Sequence, residues 1–205
     1  MKKIVIIYAL VLFGFANAQS VKYGLTGNIH KSSIVGIHDR SKGIFGGNVG
    51  VFADFSLVTN DIYDSAWLYF TPQLEFAMFG ENSKYPNKDL QKFHNNYISM
   101  PLFIKYFIKN HGYKSDIYLM AGPKLEYLIT DKVSGPASLT ADQEKNLNKF
   151  AYGLAVAVGV KVQENWDVFI RFDRGFSKIY PDYTKYTTYN RMLGIGINYY
   201  LGSTN

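Results

Sequence analysis

The residues best placed to move a proton near neutral pH are four histidines, His30, His38, His94 and His111. His30 has hydroxyls close by at Ser32 and Ser33, and a serine activated by a histidine is the nucleophile of acyl transfer. That chemistry also needs a third group to orient the base, and the neighbours of these histidines are ordinary loop residues. Catalysis is therefore not expected. Cysteine is absent, which removes thiolate chemistry, disulfides and cysteine–zinc sites. No spacing of His, Asp and Glu matches a metal-ligand set, so neither metal nor cofactor is expected.

A second group of charged residues is more regular. Lys22, Asp54, Glu75, Lys105, Lys124, Glu126, Lys161, Arg171 and Asp173 sit within segments whose adjacent positions are mostly apolar. If such charges point into one interior they must pair, because an unpartnered buried ion costs several kcal/mol. Their mixed signs suit a salt-bridged lumen, with Glu75, Lys124, Arg171 and Asp173 as its middle group. The alternative is a narrow hydrated path between them.

What could gather residues scattered from position 22 to position 173 is a closed sheet. After Gln19 the chain alternates with period 2, the signature of strands. Val21, Tyr23, Leu25 and Ile29 oppose Lys22, Thr26, Asn28 and His30. Phe45, Val49, Val51, Phe55 and Leu57 oppose Asn48, Asp54 and Ser56. Leu68, Phe70, Leu74, Phe76 and Met78 oppose Thr71, Gln73 and Glu75. Ile98, Met100, Leu102, Ile104 and Tyr106 oppose Ser99 and Lys105. The second half repeats the habit. Ile117, Leu119, Leu125, Tyr127 and Ile129 face away from Asp116, Lys124 and Glu126. Leu154, Val156, Val158, Val160 and Val162 face away from Ala151, Gly153, Ala155, Ala157, Gly159 and Lys161. Val168, Ile170 and Phe172 oppose Asp167, Arg171 and Asp173. Leu193, Ile195, Ile197, Tyr199 and Leu201 oppose Asn190, Gly194, Gly196 and Asn198. Eight strands result, each long enough for the roughly 9–11 residues of a tilted membrane-spanning strand.

Long and short links alternate strictly between them. The long ones are Ser33 to Gly43, Glu81 to Asn95, Ser134 to Lys149 and Ser177 to Thr188. The short ones are Thr59 to Ser65, Asn110 to Ser115 and Gln163 to Asn165. An up-and-down barrel with long outer loops and short periplasmic turns has this pattern, with both termini periplasmic. His30 and His94 would then lie near the outer rim, on opposite sides of the ring. His38 would lie in a loop and His111 in a turn. Thr140 and Gln143 have capping-box spacing, which leaves open a short helix in the third long loop.

A soluble barrel would alternate as well, so the polar faces must decide. Here they are poor in charge and rich in Gly, Ala, Ser and Asn, as along Ala151 to Gly159. Small residues suit a narrow lumen, whereas a water-facing wall carries more charge. Tyr23, Tyr106, Trp166, Tyr189 and Tyr199 near the strand ends suit membrane interfaces. The expected fold is an all-β, eight-stranded antiparallel up-and-down transmembrane β-barrel.

The first residues read as an export signal. Lys2 and Lys3 precede an apolar run from Ile4 to Phe15, and Ala16-Asn17-Ala18 offers a cleavage site. The signal is expected to occupy residues 1–18 and the barrel residues 19–205. The run is too short to span a membrane as a helix, and without cysteine no lipoprotein anchor follows. The net charge of +6 is spread along the chain rather than clustered, which argues against nucleic-acid binding. A modest excess of this sign favours contact with anionic outer-membrane lipid only weakly.

The segment Tyr97-Ile98-Ser99-Met100-Pro101-Leu102-Phe103-Ile104-Lys105-Tyr106 resembles the central strand of PorT-like outer-membrane β-barrel proteins. Gly122-Pro123, and Gly153-Leu154 followed by Gly159, are similar to the same family, and the likeness runs from Val21 to Leu201. The resemblance implies an eight-stranded barrel in the outer membrane and, for the member that gives the family its name, a role in protein secretion. The last strand resembles the signal read by outer-membrane insertion machinery through Gly196, Tyr199 and Leu201. It departs from that signal at Gly194, where a polar residue is usual, and in the extension from Gly202 to Asn205.

Three functions stay open. One is a barrel with a structural, assembly or interaction role, touching envelope or secretion proteins through its loops, with Tyr180, Tyr183 and Tyr186 as candidate contacts. Those tyrosines would equally suit a loop packed on its own rim. The others are a narrow pore for small solutes or ions and a rim enzyme modifying lipid.

Overall fold

The structure, a computed structural model, describes residues 20–36, 41–60, 65–84, 90–108, 115–135, 146–183 and 187–204. It holds eight strands: β1 (Val21–Val35), β2 (Ser41–Asn60), β3 (Ser65–Lys84), β4 (Leu90–Phe107), β5 (Ile117–Ser134), β6 (Phe150–Gln163), β7 (Trp166–Gly175) and β8 (Tyr189–Thr204). Each pairs antiparallel with its sequence neighbours, and β8 pairs with β1 to close the ring. Closure leaves no free sheet edge, so every ladder group can be satisfied inside the wall.

The stagger of that closure decides which side chains meet. From Thr26 the ladder runs through Gly50, Glu75, Ser99 and Glu126 to Ala151 on β6. In the other direction it runs through Asn198 and Asp167 to Lys161, also on β6. The two ends differ by ten residues, from 151 to 161, and a stagger of that order tilts the strands by about 35–45° to the barrel axis. Residues at one height therefore lie along a diagonal of the register.

The alternation is inside-out relative to a water-soluble protein. Ile29 (68%), Phe45 (84%) and Ile170 (58%) are exposed on the outer wall, while Glu75, Lys105 and Arg171 are buried inside. Phe55 departs from the exposure expected of it. It is 7% exposed and its ring lies 6.3 Å from that of Phe70. The small inward residues make room for rings: a side chain at Gly159 would collide with Tyr118, and one at Gly196 with Phe169. Gly36 and Gly135 end β1 and β5 with φ of 96° and 126°, a backbone that L side chains rarely adopt.

Two expected long links are shorter than the sequence suggested, at 36–40 and 85–89, and both are shorter than the turn at 108–116, so the strict alternation of long and short links is not kept. The polar stretches at 33–43 and 81–95 are largely strand, with β1 reaching Val35, β3 reaching Lys84 and β4 starting at Leu90. Ser32, Glu81, Ser83, Gln91 and Asn95 are buried inside the barrel. A polar interior draws polar residues into the ladder, so polarity does not mark a loop here. The capping-box pair Thr140 and Gln143, the export-signal residues, His38 and His111 lie outside the described residues.

Candidate functional site

The interior is built in layers along the barrel axis. The middle layer centres on Arg171 of β7. Its Nη1 donates to Glu75 Oε1 of β3 at 2.6 Å, and its Nε and Nη2 donate to the two carboxylate oxygens of Asp173 at 2.8 Å each. Lys124 of β5 reaches Asp173 at 3.0 Å and Glu126 at 2.8 Å. Asn48 donates to the other oxygen of Glu75 at 3.1 Å. Two cations thus hold three carboxylates, all fully buried, with the guanidinium fork matched to a carboxylate.

A second ionic layer lies nearer the short links. Lys105 Nζ contacts Asp54 at 3.1 Å, Asp167 at 2.9 Å and the Tyr200 hydroxyl at 2.6 Å. Thr71 donates to the remaining oxygen of Asp54 at 2.6 Å. Below it, the half-buried Lys22 and Lys161 line a cavity of about 380 Å³ with Asp116 and Glu164, at the end where both described termini emerge.

Apolar layers separate the ions. Phe103, Tyr118, Met120, Ala155, Ala157 and Phe169 form one cluster. The Tyr118 ring lies 4.3 Å from Lys105 Nζ, and the Phe103 ring 5.4 Å from the Arg171 guanidinium carbon. The cluster therefore fills the space between the two ionic layers and supplies each cation with an aromatic face. Phe79, 5.0 Å from Lys124 Nζ, begins another apolar layer with Tyr97, Leu128 and Met192. Ile34, Ile179 and Tyr180 close the far end.

The nine charges singled out in the sequence thus have definite places. Seven join the two ionic layers, and Lys22 and Lys161 stand at the mouth. Asp167 and Tyr200 complete the second layer and were not singled out, although parity puts both on the inner face beside outward Val168 and Tyr199. Tyr180 is corrected as a partner contact. It is 1% exposed, with its amide donating to Thr188 Oγ1 at 3.1 Å, because the last loop folds inward to cap the barrel. Tyr183 packs half-buried against the same cap, and Tyr186 lies outside the described residues. His30 faces inward as the alternation of β1 has it, and it is buried, 2% exposed, rather than open at the rim. Its Nε2 donates to the Met78 carbonyl at 3.0 Å, and its Nδ1 lies 3.0 Å from Asn28 Oδ1. Ser32 bonds to Gly80 through both donor and acceptor, so it forms no nucleophile–base pair with His30. His94 is exposed on β4.

The sequence profile described as "Outer membrane protein beta-barrel domain" matches residues 17–181, most of the chain. The chain belongs to this family. Among curated proteins, none matches the sequence. Solved structures with a similar course include Ail, the attachment invasion locus protein of Yersinia pestis. It is 12% identical, with 88% of this chain and 98% of that one covered and a TM-score of 0.47. Neisserial surface protein A is 12% identical over 86% and 96% of the two chains, with a TM-score of 0.46. The outer membrane protein OprG from Pseudomonas aeruginosa is 10% identical over 91% and 95%, with a TM-score of 0.42. Likenesses this distant carry no functional argument. In an outer-membrane barrel, however, the geometry already described has a clear reading. The exposed apolar wall is solvated by lipid, and the polar interior is filled by its own side chains.

Proposed function

We propose that this outer-membrane protein is a closed structural and interaction barrel rather than a solute pore. In this reading it is exported by a cleaved signal at residues 1–18, with both mature termini periplasmic and the β1–β2, β3–β4, β5–β6 and β7–β8 links outside. The observation that carries it is the stacking of ionic and aromatic layers through the lumen. Arg171 and Lys105 are both fully engaged, and the Phe103–Tyr118 cluster lies between them. An ion crossing that stack would have to break bonded, desolvated pairs and pass an apolar layer, both costly in a low-dielectric interior. No nucleophile–base pair forms at His30, which supports a non-enzymatic role. Work carried out through outer surfaces and envelope partners is the function this leaves. A place alongside protein secretion rests on the PorT-like resemblance carried by Tyr97 to Tyr106, Gly122-Pro123 and Gly153-Leu154 with Gly159.

Two measurements test the reading together. Purified barrel in planar bilayers should give no unitary conductance steps, and a pull-down from native outer membranes should recover specific envelope proteins. Discrete, ion-selective steps from the wild-type barrel would overturn the closed-barrel assignment.

A further inference from the structure

The outer wall carries a feature that the filled interior does not explain. Arg174 on β7 and Arg191 on β8 are directly opposite each other in the ladder, and both are exposed. Facing pairs place their Cβ atoms about 4.5–5.5 Å apart, and like charges there repel. Neither has an ion-pair partner among the described residues. Arg174 is instead held by the Tyr189 ring, 5.1 Å from its guanidinium carbon. On β1, Ser33 sits opposite Arg191, and two residues away the exposed Lys31 adds a third cation. Lys31, Ser33, Phe172, Arg191 and Leu193 line a groove of about 610 Å³.

Below these cations, four residues along β1 or about 13 Å, the wall is notched at Gly27. A second groove there, about 540 Å³, is lined by Gly27, Ile29, Val49, Ile195 and Ile197. A Cβ at Gly27 would meet only Asn48 O, at 3.6 Å, an ordinary van der Waals contact, so the notch can take a side chain without displacing the strand. The exposed Phe45, opposite Lys31, marks the upper edge of the apolar belt.

Two guanidiniums without an ion-pair partner among the described residues, and an ammonium, at the head of an apolar furrow match a ligand with phosphate at one end and an acyl chain at the other. We infer that β1, β2, β7 and β8 form a specific site for one phosphorylated glycolipid of the outer leaflet. Its phosphate would be held between Arg174, Arg191 and Lys31, and an acyl chain would lie over Gly27. Guanidiniums suit phosphate because their donors bind it bidentately. The inference rests on the proposed orientation, with the β1–β2, β3–β4, β5–β6 and β7–β8 links outside.

Native mass spectrometry of the full barrel, released from detergent with purified bisphosphorylated lipid A, tests it. Phosphate-free lipid A and inorganic phosphate serve as separate probes. One lipid A should remain bound per barrel, and phosphate-free lipid should bind roughly tenfold more weakly. Arg174→Gln combined with Arg191→Gln should bring lipid A down to that level. Gly27→Leu should weaken lipid A binding by filling the furrow, with the cations untouched. Heat-dependent gel migration of each variant reports that it is folded. Equal binding of phosphate-free lipid, full binding by the folded double variant, or displacement by an equal concentration of inorganic phosphate would each overturn the site. A wild-type protein missing from the outer-membrane fraction would instead overturn the orientation and location on which the site depends.

Discussion

Arg171 binds Glu75 across the lumen while holding Asp173 with its other edge, so its removal leaves Glu75 without a cation, bonded to Asn48, and leaves Asp173 sharing Lys124 with Glu126. Both carboxylates are buried, each 1% exposed, where water cannot compensate the lost guanidinium. Arg171→Ala is therefore expected to cost on the order of 3–5 kcal/mol. Urea unfolding of the barrel in lipid vesicles measures this. A water-filled lumen would predict a different result, with stability nearly unchanged and a new conductance. Substituting an exposed cation such as Lys178 should leave the midpoint where it was. The contrast between the two positions distinguishes a buried ionic layer from a general effect of charge.

At the level of the strands, facing is set by parity, and charge should be punished on one face only. Val156 on β6 is exposed on the outer wall between Ala155 and Ala157, both buried inside. Placed near mid-membrane, Val156→Arg should destabilise by about 2–4 kcal/mol. Asn165→Arg, in the exposed turn between β6 and β7, should have almost no effect. Equal tolerance in the same urea titration would mean that the outer wall is not in lipid. Strand number, most of the facing and most of the inward charges were legible from alternation, because the middle of each strand carries an apolar outer face. Strand ends were harder to read. Ser32 and Glu81 are polar, yet they belong to the ladder because the interior accepts polar groups. Which charges meet was legible only in part. The diagonal that joins Lys105 to Asp54 and Asp167 depends on the closing stagger, a property of the ring that no single strand encodes. The inward fold of the last loop over Ile34 was hidden for a similar reason, since its tyrosines suit an exposed contact equally well.

For the molecule as a whole, a closed ring with every ladder bond internal should resist detergent. Unheated samples are expected to migrate faster on gels than boiled ones, and alkaline carbonate should leave the protein in the membrane pellet. Release into the supernatant would exclude a membrane-embedded wall. The ionic layers also govern how such a ring can be made. Lys105 finds its partners on β2, β7 and β8, and Glu75 finds Arg171 at a separation of 96 residues. A β3–β4 hairpin entering lipid by itself would carry Glu75 and Lys105 inward with neither partner present. Each isolated ion would oppose that step by several kcal/mol. Stepwise insertion, one hairpin after another, is thus uphill until β7 and β8 arrive. The chain must be assembled while its early strands are sheltered from lipid, and the same charges that lock the finished lumen act as a check that the last strand has joined the first.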